Sequence, residues 1–135
     1  MSSPLDNLCG PGKPLQLEAP DAKEIAGLQR SGAARLTDAR NATLALESQF
    51  DLAENGAHSL SLAALRRMGC RAGNRYIVFQ VLPHTLGLGP EVWRVLDKCH
   101  NTRNLGEYEG LLDVDERLVK DLITATQAVA DALGK

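Results

Sequence analysis

The apolar residues of this chain recur mainly three and four positions apart, which is the spacing of one face of an α-helix. Asp21 to Glu24 resembles a capping box, and so does Asp113 to Glu116, so each marks a helix start. Pro90 is a favoured first-turn residue. The pattern predicts long helices over 21–42, 46–68, from Pro90 to the glycines at 106 and 110, and over 113–133.

The stretch Arg75 to Leu82 (RYIVFQVL) is ambiguous by pattern alone. Its β-branched and aromatic residues favour a strand, but a helix that is apolar on nearly every side fits as well. No other segment offers a strand to pair with it, so we predict a buried helix that Pro83 ends near Leu82. The fold class predicted is all-α, an up-and-down helical bundle of about five helices without strands.

Small residues mark close helix packing, and proline marks irregular chain. The helix at 46–68 has Ala53, Gly56 and Ala57 in its stripe, which predicts a central position in the bundle, and Gly32 is placed to split the first helix.

Residues 1–20 contain four prolines and two glycines. We therefore predict that they form an extended N-terminal arm, pinned by Leu15 and Leu17. For residues 21–135 we predict a single helical-bundle domain.

Composition limits the function classes. The net charge of −2 supplies no general basic field, so DNA binding is disfavoured and any RNA contact needs a local patch. No apolar run approaches the roughly 18 residues of a membrane span, and the N-terminus lacks the pattern of a signal peptide. We therefore expect a cytoplasmic protein without membrane contact.

The cysteines and histidines suggest no cofactor. Cys9, Cys70 and Cys99 are odd in number and lack CxxC spacing, which favours reduced thiols over a disulfide framework or a zinc site. His58 and His84 have no partner at ligand spacing. We predict neither a metal nor a cofactor.

One charge stands where a helix should be apolar. Val92, Leu96 and Cys99 mark one face of the helix that begins at Pro90, and Arg103 is the next residue on that face. A guanidinium stays protonated and is rarely buried without a partner. Arg103 is therefore predicted to hold an anion, a carboxylate or a subunit interface.

The helix pattern over residues 21 to 133, with Arg103 and Asn104 late in the fourth helix, resembles the HEPN superfamily of helical bundles. The ribonuclease motif of that family is an arginine, often followed by asparagine, and then a histidine four to six residues later. Here Tyr108 occupies the fifth position after the arginine, and no histidine follows. The resemblance implies a homodimer, and in active relatives the arginine holds the scissile phosphate while the histidine assists the attack.

The missing histidine weakens the case for catalysis. Imidazole, with a reference pKa near about 6.5, moves protons at neutral pH, and a phenol near about 10 does so poorly. His100 lies one turn before Arg103 on the same side and could substitute, but its order in the chain departs from the family motif.

Each candidate residue also has a structural interpretation. Arg103 could pair with Glu107, its i+4 neighbour, or with Glu109 or Asp97 across a dimer. The alternatives for the other candidates are an interface histidine for His100, a helix-end cap for Asn104 and a packing anchor for Tyr108.

Three functions remain open. The leading one is a HEPN-like dimeric binding module without catalysis, whose Arg103 cleft, with His100, Asn104 and Tyr108, holds a nucleotide, an RNA phosphate or a partner carboxylate. The resemblance implies a toxin–antitoxin context with a nucleotidyltransferase partner protein. The second is a metal-independent endoribonuclease that uses Arg103 with His100 or Tyr108. The third is a purely structural dimeric bundle.

Overall fold

The structure, a computed structural model, describes residues 4–110 and 113–135, except the side chains of residues 4, 108 and 109. Seven helices and two short strands lie in these ranges. In chain order they are α1 (Pro4–Leu8), β1 (Leu15–Leu17), α2 (Ala22–Ala39), α3 (Leu46–Arg67), β2 (Cys70–Ala72), α4 (Arg75–Gln80), α5 (Leu82–Thr85), α6 (Pro90–Glu109) and α7 (Glu116–Leu133). The predicted all-α class is confirmed, and the architecture is compatible with a helical bundle. Within the described ranges, every helix is too short or too polar to cross a membrane.

Helix α3 is central, as its small residues predicted, and packs against α2, α6 and α7. Gly32 of α2 faces Gly56 and Leu60 of α3, where a Cβ on Gly32 would lie 2.6 Å from Leu60 Cγ. The glycine therefore lets two helix backbones approach closely, and the prediction that it splits the first helix is wrong. The main core is formed by residues of all the helices from α2 to α7 and includes Phe50, Phe79, Leu82, Leu96, Leu122 and Val129.

The ambiguous stretch after residue 74 is helical, as predicted. The side chain of Asn74 accepts a hydrogen bond from the Ile77 amide and caps α4. Helix α4 ends at Gln80, and Pro83 lies in the first turn of α5, where its missing amide hydrogen costs nothing.

Capping residues mark the end of α6 and the start of α7. Gly110, at φ +72°, ends α6 in the left-handed conformation that glycine adopts readily. Asp115 caps α7 by accepting from the Leu118 amide. The start predicted at Asp113 is therefore wrong, because Asp115 rather than Asp113 makes the capping bond.

The prediction that the chain lacks strands is also wrong. β1 and β2 pair antiparallel, with Leu15 opposite Ala72 and Leu17 opposite Cys70. Strands of three residues are too short to produce a visible alternation, and their partners lie far apart in the sequence.

Residues 4–17, called here the N-terminal segment, are packed rather than an extended arm. Leu5, Cys9 and Leu15 join a second hydrophobic cluster that Leu65, Cys70, Val78 and Val81 complete. Leu15 is fully buried, as predicted for a residue that pins this segment to the domain. Leu17 is 70% exposed, so its side chain does not pin the segment. The sequence showed no sign of this packing, because the prolines divide the segment into pieces of at most six residues, which are too short to show a sustained helical period.

Arg66, only 1% exposed, holds the chain that follows the N-terminal segment. Its Nε donates to Glu24 Oε1 at 2.5 Å, and its Nη1 and Nη2 donate to the carbonyls of Glu18 and Ala19, both at 2.8 Å. Hydrogen bonds from Arg66 and Arg71 hold the pKa of the Glu24 carboxyl below its usual value. The ion pair between Arg66 and Glu24 joins the end of α3 to the start of α2.

Candidate functional site

The candidate site is built around a buried carboxylate that belongs to α3. Glu54 lies four positions after Phe50 and three before Ala57, so helical geometry puts it on the apolar face of α3. Its side chain is 1% exposed. A carboxylate at such a position needs compensating donors.

Three side chains from α4 and α6 supply those donors. Glu54 Oε2 accepts from Arg75 Nη2 at 2.6 Å and from Arg103 Nη1 at 2.5 Å. Glu54 Oε1 lies 2.9 Å from His100 Nδ1. We call Glu54, Arg75, His100 and Arg103 the Glu54 cluster. The cluster lies where α3, α4 and α6 meet.

The electrostatics of the cluster keep Glu54 ionised. Burial alone would raise the pKa of Glu54, but the charge of Arg75 and the hydrogen bond from Arg103 outweigh it, so the pKa is lowered. An ionised carboxylate only accepts hydrogen bonds, so Nδ1 of His100 carries the ring hydrogen and donates a hydrogen bond to Glu54. Burial works against the charge of Arg103, but its hydrogen bond to Glu54 prevails and raises the pKa of Arg103.

Arg103 has an inner and an outer side. On the inner side, Nη1 contacts Glu54 and also donates to Asn55 Oδ1 at 3.0 Å. On the outer side, Nη2 lies 3.3 Å from Asp51 Oδ1, and Nε lies 3.3 Å from Glu107 Oε1. The side chains of Asp51 and Glu107 are 56% and 65% exposed, whereas that of Arg103 is 23% exposed. We call Nε and Nη2 of Arg103 the outer edge.

His100 is buried inside this arrangement, with a side chain only 6% exposed. Its Nε2 lies 3.5 Å from Asn104 Nδ2, which also donates to Tyr76 Oη at 3.0 Å. Tyr76 Oη in turn donates to Asn101 Oδ1 at 3.3 Å, and the Tyr76 ring packs edge-on against the imidazole. Both imidazole nitrogens therefore face groups of the same chain.

The structure brings together three of the four predicted site residues: His100, Arg103 and Asn104. The side chain of Tyr108, the fourth, lies outside the described part of the structure. The predicted pair between Arg103 and Glu107 is present. The other two pairs were predicted across a dimer, which a single chain does not test. The side chain of Glu109 is outside the described residues, and within this chain Asp97 accepts from Gln80 instead.

Sequence reasoning missed Glu54 and Arg75. The signal for Glu54 was available, because a carboxylate in the stripe of α3 is as unusual as the arginine in the stripe of α6. Arg75 gave no signal, since it stands at the first position of a short helix. Its buried Nε lacks an acceptor among the described residues.

Comparison with protein-family models, with curated proteins and with solved structures finds no match to this chain. The resemblance to the HEPN superfamily therefore stays a prediction that rests on the helix pattern and on Arg103 and Asn104.

Proposed function

We propose that this protein is a HEPN-like binding module without catalysis, which holds an anion such as a nucleotide or RNA phosphate at the outer edge of Arg103. The observation that carries the proposal is the charge balance of the Glu54 cluster. Two guanidinium groups, those of Arg75 and Arg103, share one buried carboxylate. The cluster therefore has one excess positive charge, which the carboxylates of Asp51 and Glu107 more than offset from the exposed side.

The two carboxylates that offset this charge are the ones an external anion can replace. Asp51 and Glu107 are more than half exposed and contact Arg103 at 3.3 Å. Exposed ion pairs of this kind contribute about 0–1 kcal/mol each. A phosphate offers two oxygens to the planar edge formed by Nε and Nη2, which is the bidentate geometry that arginine favours.

The inner side of the cluster would remain unchanged during binding. The bond between Nη1 of Arg103 and Glu54 is partly buried and orients the guanidinium, whereas the contact between its Nε and Glu107 is exposed. Nη1 of Arg103 thus keeps its partner Glu54, whereas the partners of Nε and Nη2 can be exchanged for an anion. This division supports binding by substitution of surface carboxylates rather than by opening of the core.

The absence of catalysis is part of the proposal, and the position of His100 supports it. Its Nδ1 is engaged by Glu54, its Nε2 faces Asn104, and its side chain is 6% exposed. Within the described ranges, the outer edge of Arg103 faces carboxylates rather than an imidazole. A phosphate bound there would lack a neighbouring group that moves protons readily at neutral pH.

Thermal unfolding with adenosine monophosphate or a short single-stranded RNA tests the binding. We expect both to raise the Tm of the wild type in a concentration-dependent manner. Arg103→Lys keeps the charge but loses the planar donor edge, so the rise should be mostly lost. Arg94→Gln is the matched control, because Arg94 is exposed on the same helix and contacts Trp93 instead. Equal rises in the wild type and Arg103→Lys would overturn the proposal.

A metal-independent endoribonuclease is the second candidate, and one observation favours it. The bond from His100 Nδ1 to Glu54 fixes the tautomer of the imidazole, as carboxylates do for catalytic histidines. The test is RNA cleavage in the presence of a chelator by the wild type, Arg103→Lys and His100→Gln. We expect none above background. Cleavage by the wild type that His100→Gln loses while staying folded would favour the enzyme.

The homodimer and the nucleotidyltransferase partner protein belong to the same proposal and rest on the resemblance. In a dimer, the outer edge of Arg103 would lie in a cleft between subunits. Light scattering at micromolar concentration tests this, and a mass of one chain would remove the composite cleft while leaving the Arg103 site itself intact.

A further inference from the structure

Cys9 and Cys70 form a pair of buried thiols in the second hydrophobic cluster. Their Sγ atoms lie 2.7 Å apart, although 61 positions separate the residues in the chain. Non-bonded carbon atoms rest about 3.5–4.0 Å apart, and sulfur is a larger atom. The exposed fractions of the two residues are 6% and 2%. The contact is therefore closer than ordinary packing of two thiols.

The backbone holds both cysteines at this position. Cys9 forms a β-bridge with Leu15 at the start of β1, and Cys70 pairs with Leu17 at its end. The carbonyl of Cys70 also accepts from Arg66 Nη1 at 3.3 Å. The two thiols meet because β1 is bonded to both chain segments, so their proximity does not depend on side-chain rotamers alone.

We propose that Cys9 and Cys70 are a modification site, at which glutathione disulfide oxidises the pair to an intramolecular disulfide. One thiolate attacks the oxidant, forms a mixed disulfide and releases one glutathione thiolate. The second protein thiolate then attacks the mixed disulfide and releases the other. The two protein thiols lose two electrons and two protons in total, and two molecules of glutathione carry them away.

Burial makes this oxidation depend on opening of the fold. Burial and the contact with Cys9 raise the pKa of the Cys70 thiol to about 12, so little thiolate exists in the closed protein. Movement of the N-terminal segment away from β2 would expose both thiols together. Once formed, the bond would join the N-terminal segment covalently to the residue that follows α3.

The test is to equilibrate the reduced full chain with glutathione disulfide in urea below the unfolding midpoint, so that the N-terminal segment opens transiently. We expect a loss of about 2 Da, the two hydrogens removed, and a peptide map that links residue 9 to residue 70. Alkylation after denaturation should then modify one thiol instead of three. The oxidised protein should also have a higher Tm than the reduced protein.

Cys99 provides the matched control, because it is fully buried in the main core and burial raises its pKa to about 12 as well. Cys99→Ser should still lose about 2 Da, and Cys70→Ser should not. Three free thiols in the equilibrated wild type, stable glutathione adducts, or a bond to Cys99 would each overturn the proposal.

Discussion

The carboxylate of Glu54 and the guanidinium of Arg103 lie 2.5 Å apart, although the residues are 49 positions apart in the chain. This contact joins the middle of α3 to the last turns of α6, and it explains why the apolar face of α6 continues into an arginine. His100, one turn earlier on α6, contacts the other oxygen of the same carboxylate. The inner half of Arg103 is therefore structural, and the proposed anion would contact its outer edge.

Glu54→Gln should destabilise the protein strongly. The amide keeps the size of the side chain but removes the negative charge that Arg75 and Arg103 share. Breaking a buried ion pair in this way costs about 3–5 kcal/mol. Urea unfolding measures the loss. Glu107→Gln is the control, because Glu107 contacts the same arginine from an exposed position and should cost about 1 kcal/mol or less. Equal stability of the two variants would contradict a buried, charge-balanced cluster.

Gly32→Ala should also lower the free energy of unfolding. The new methyl group would lie 2.6 Å from Leu60 Cγ and 3.1 Å from the carbonyl oxygen of Gly56, so α2 and α3 must separate or repack. Overpacking of this kind costs about 1–3 kcal/mol. Gly27→Ala in the same helix has nothing within 4 Å of the new methyl group and should gain up to about 1 kcal/mol. Thermal unfolding of both variants checks the prediction, which fails if the two substitutions shift the Tm alike.

Stability should fall as the pH drops from about 6.5 to about 4, in part because of His58. Burial and the nearby charge of Arg75 lower the pKa of His58 to about 4. The unfolded chain, with a pKa near 6.5, therefore binds this proton more readily than the folded protein. The contribution is fully present above pH 6.5 and is lost as the pH falls through this window. It is on the order of 3 kcal/mol, at about 1.4 kcal/mol per tenfold change in proton affinity.

Chemical denaturation at several pH values measures this slope. His58→Gln should flatten it between pH 6.5 and 4, because the group with the displaced pKa is gone. His84→Gln should keep the slope of the wild type, since His84 is exposed at the end of α5. An unchanged slope in His58→Gln would show that another group causes the loss of stability in acid.

The long helices could be predicted from the sequence because each repeats its apolar face over several turns. The bounds of α3 and the start of α6 agree closely with the expected ones. The N-terminal segment could not be predicted in the same way. Its stability comes from pairing with β2 and from burial of Leu5, Cys9 and Leu15 in the second hydrophobic cluster, and such contacts between distant residues leave no local period.

The site was predictable in part for the same reason. The pattern on α6 identified Arg103 as an inward charge, and the structure bears out that orientation. Glu54, the partner of Arg103, could have been found by looking for a negative charge on the apolar face of another helix, because it lies between Phe50 and Ala57 on that face of α3. The convergence of Arg75 on that carboxylate depends on how α4 packs between α3 and α6, which no spacing within one helix reveals.

The most direct test of the anion site is calorimetric titration of adenosine monophosphate into the wild type and into the double variant Asp51→Asn with Glu107→Gln. The substitutions remove the two exposed carboxylates that compete for the outer edge of Arg103 and leave its bond to Glu54 in place. We predict tighter binding by the double variant, by up to about thirtyfold, because each of the two exposed pairs typically contributes about 0.2–1 kcal/mol and about 1.4 kcal/mol is a tenfold change. Equal or weaker binding by the double variant, or no binding by either protein, would contradict the proposed function.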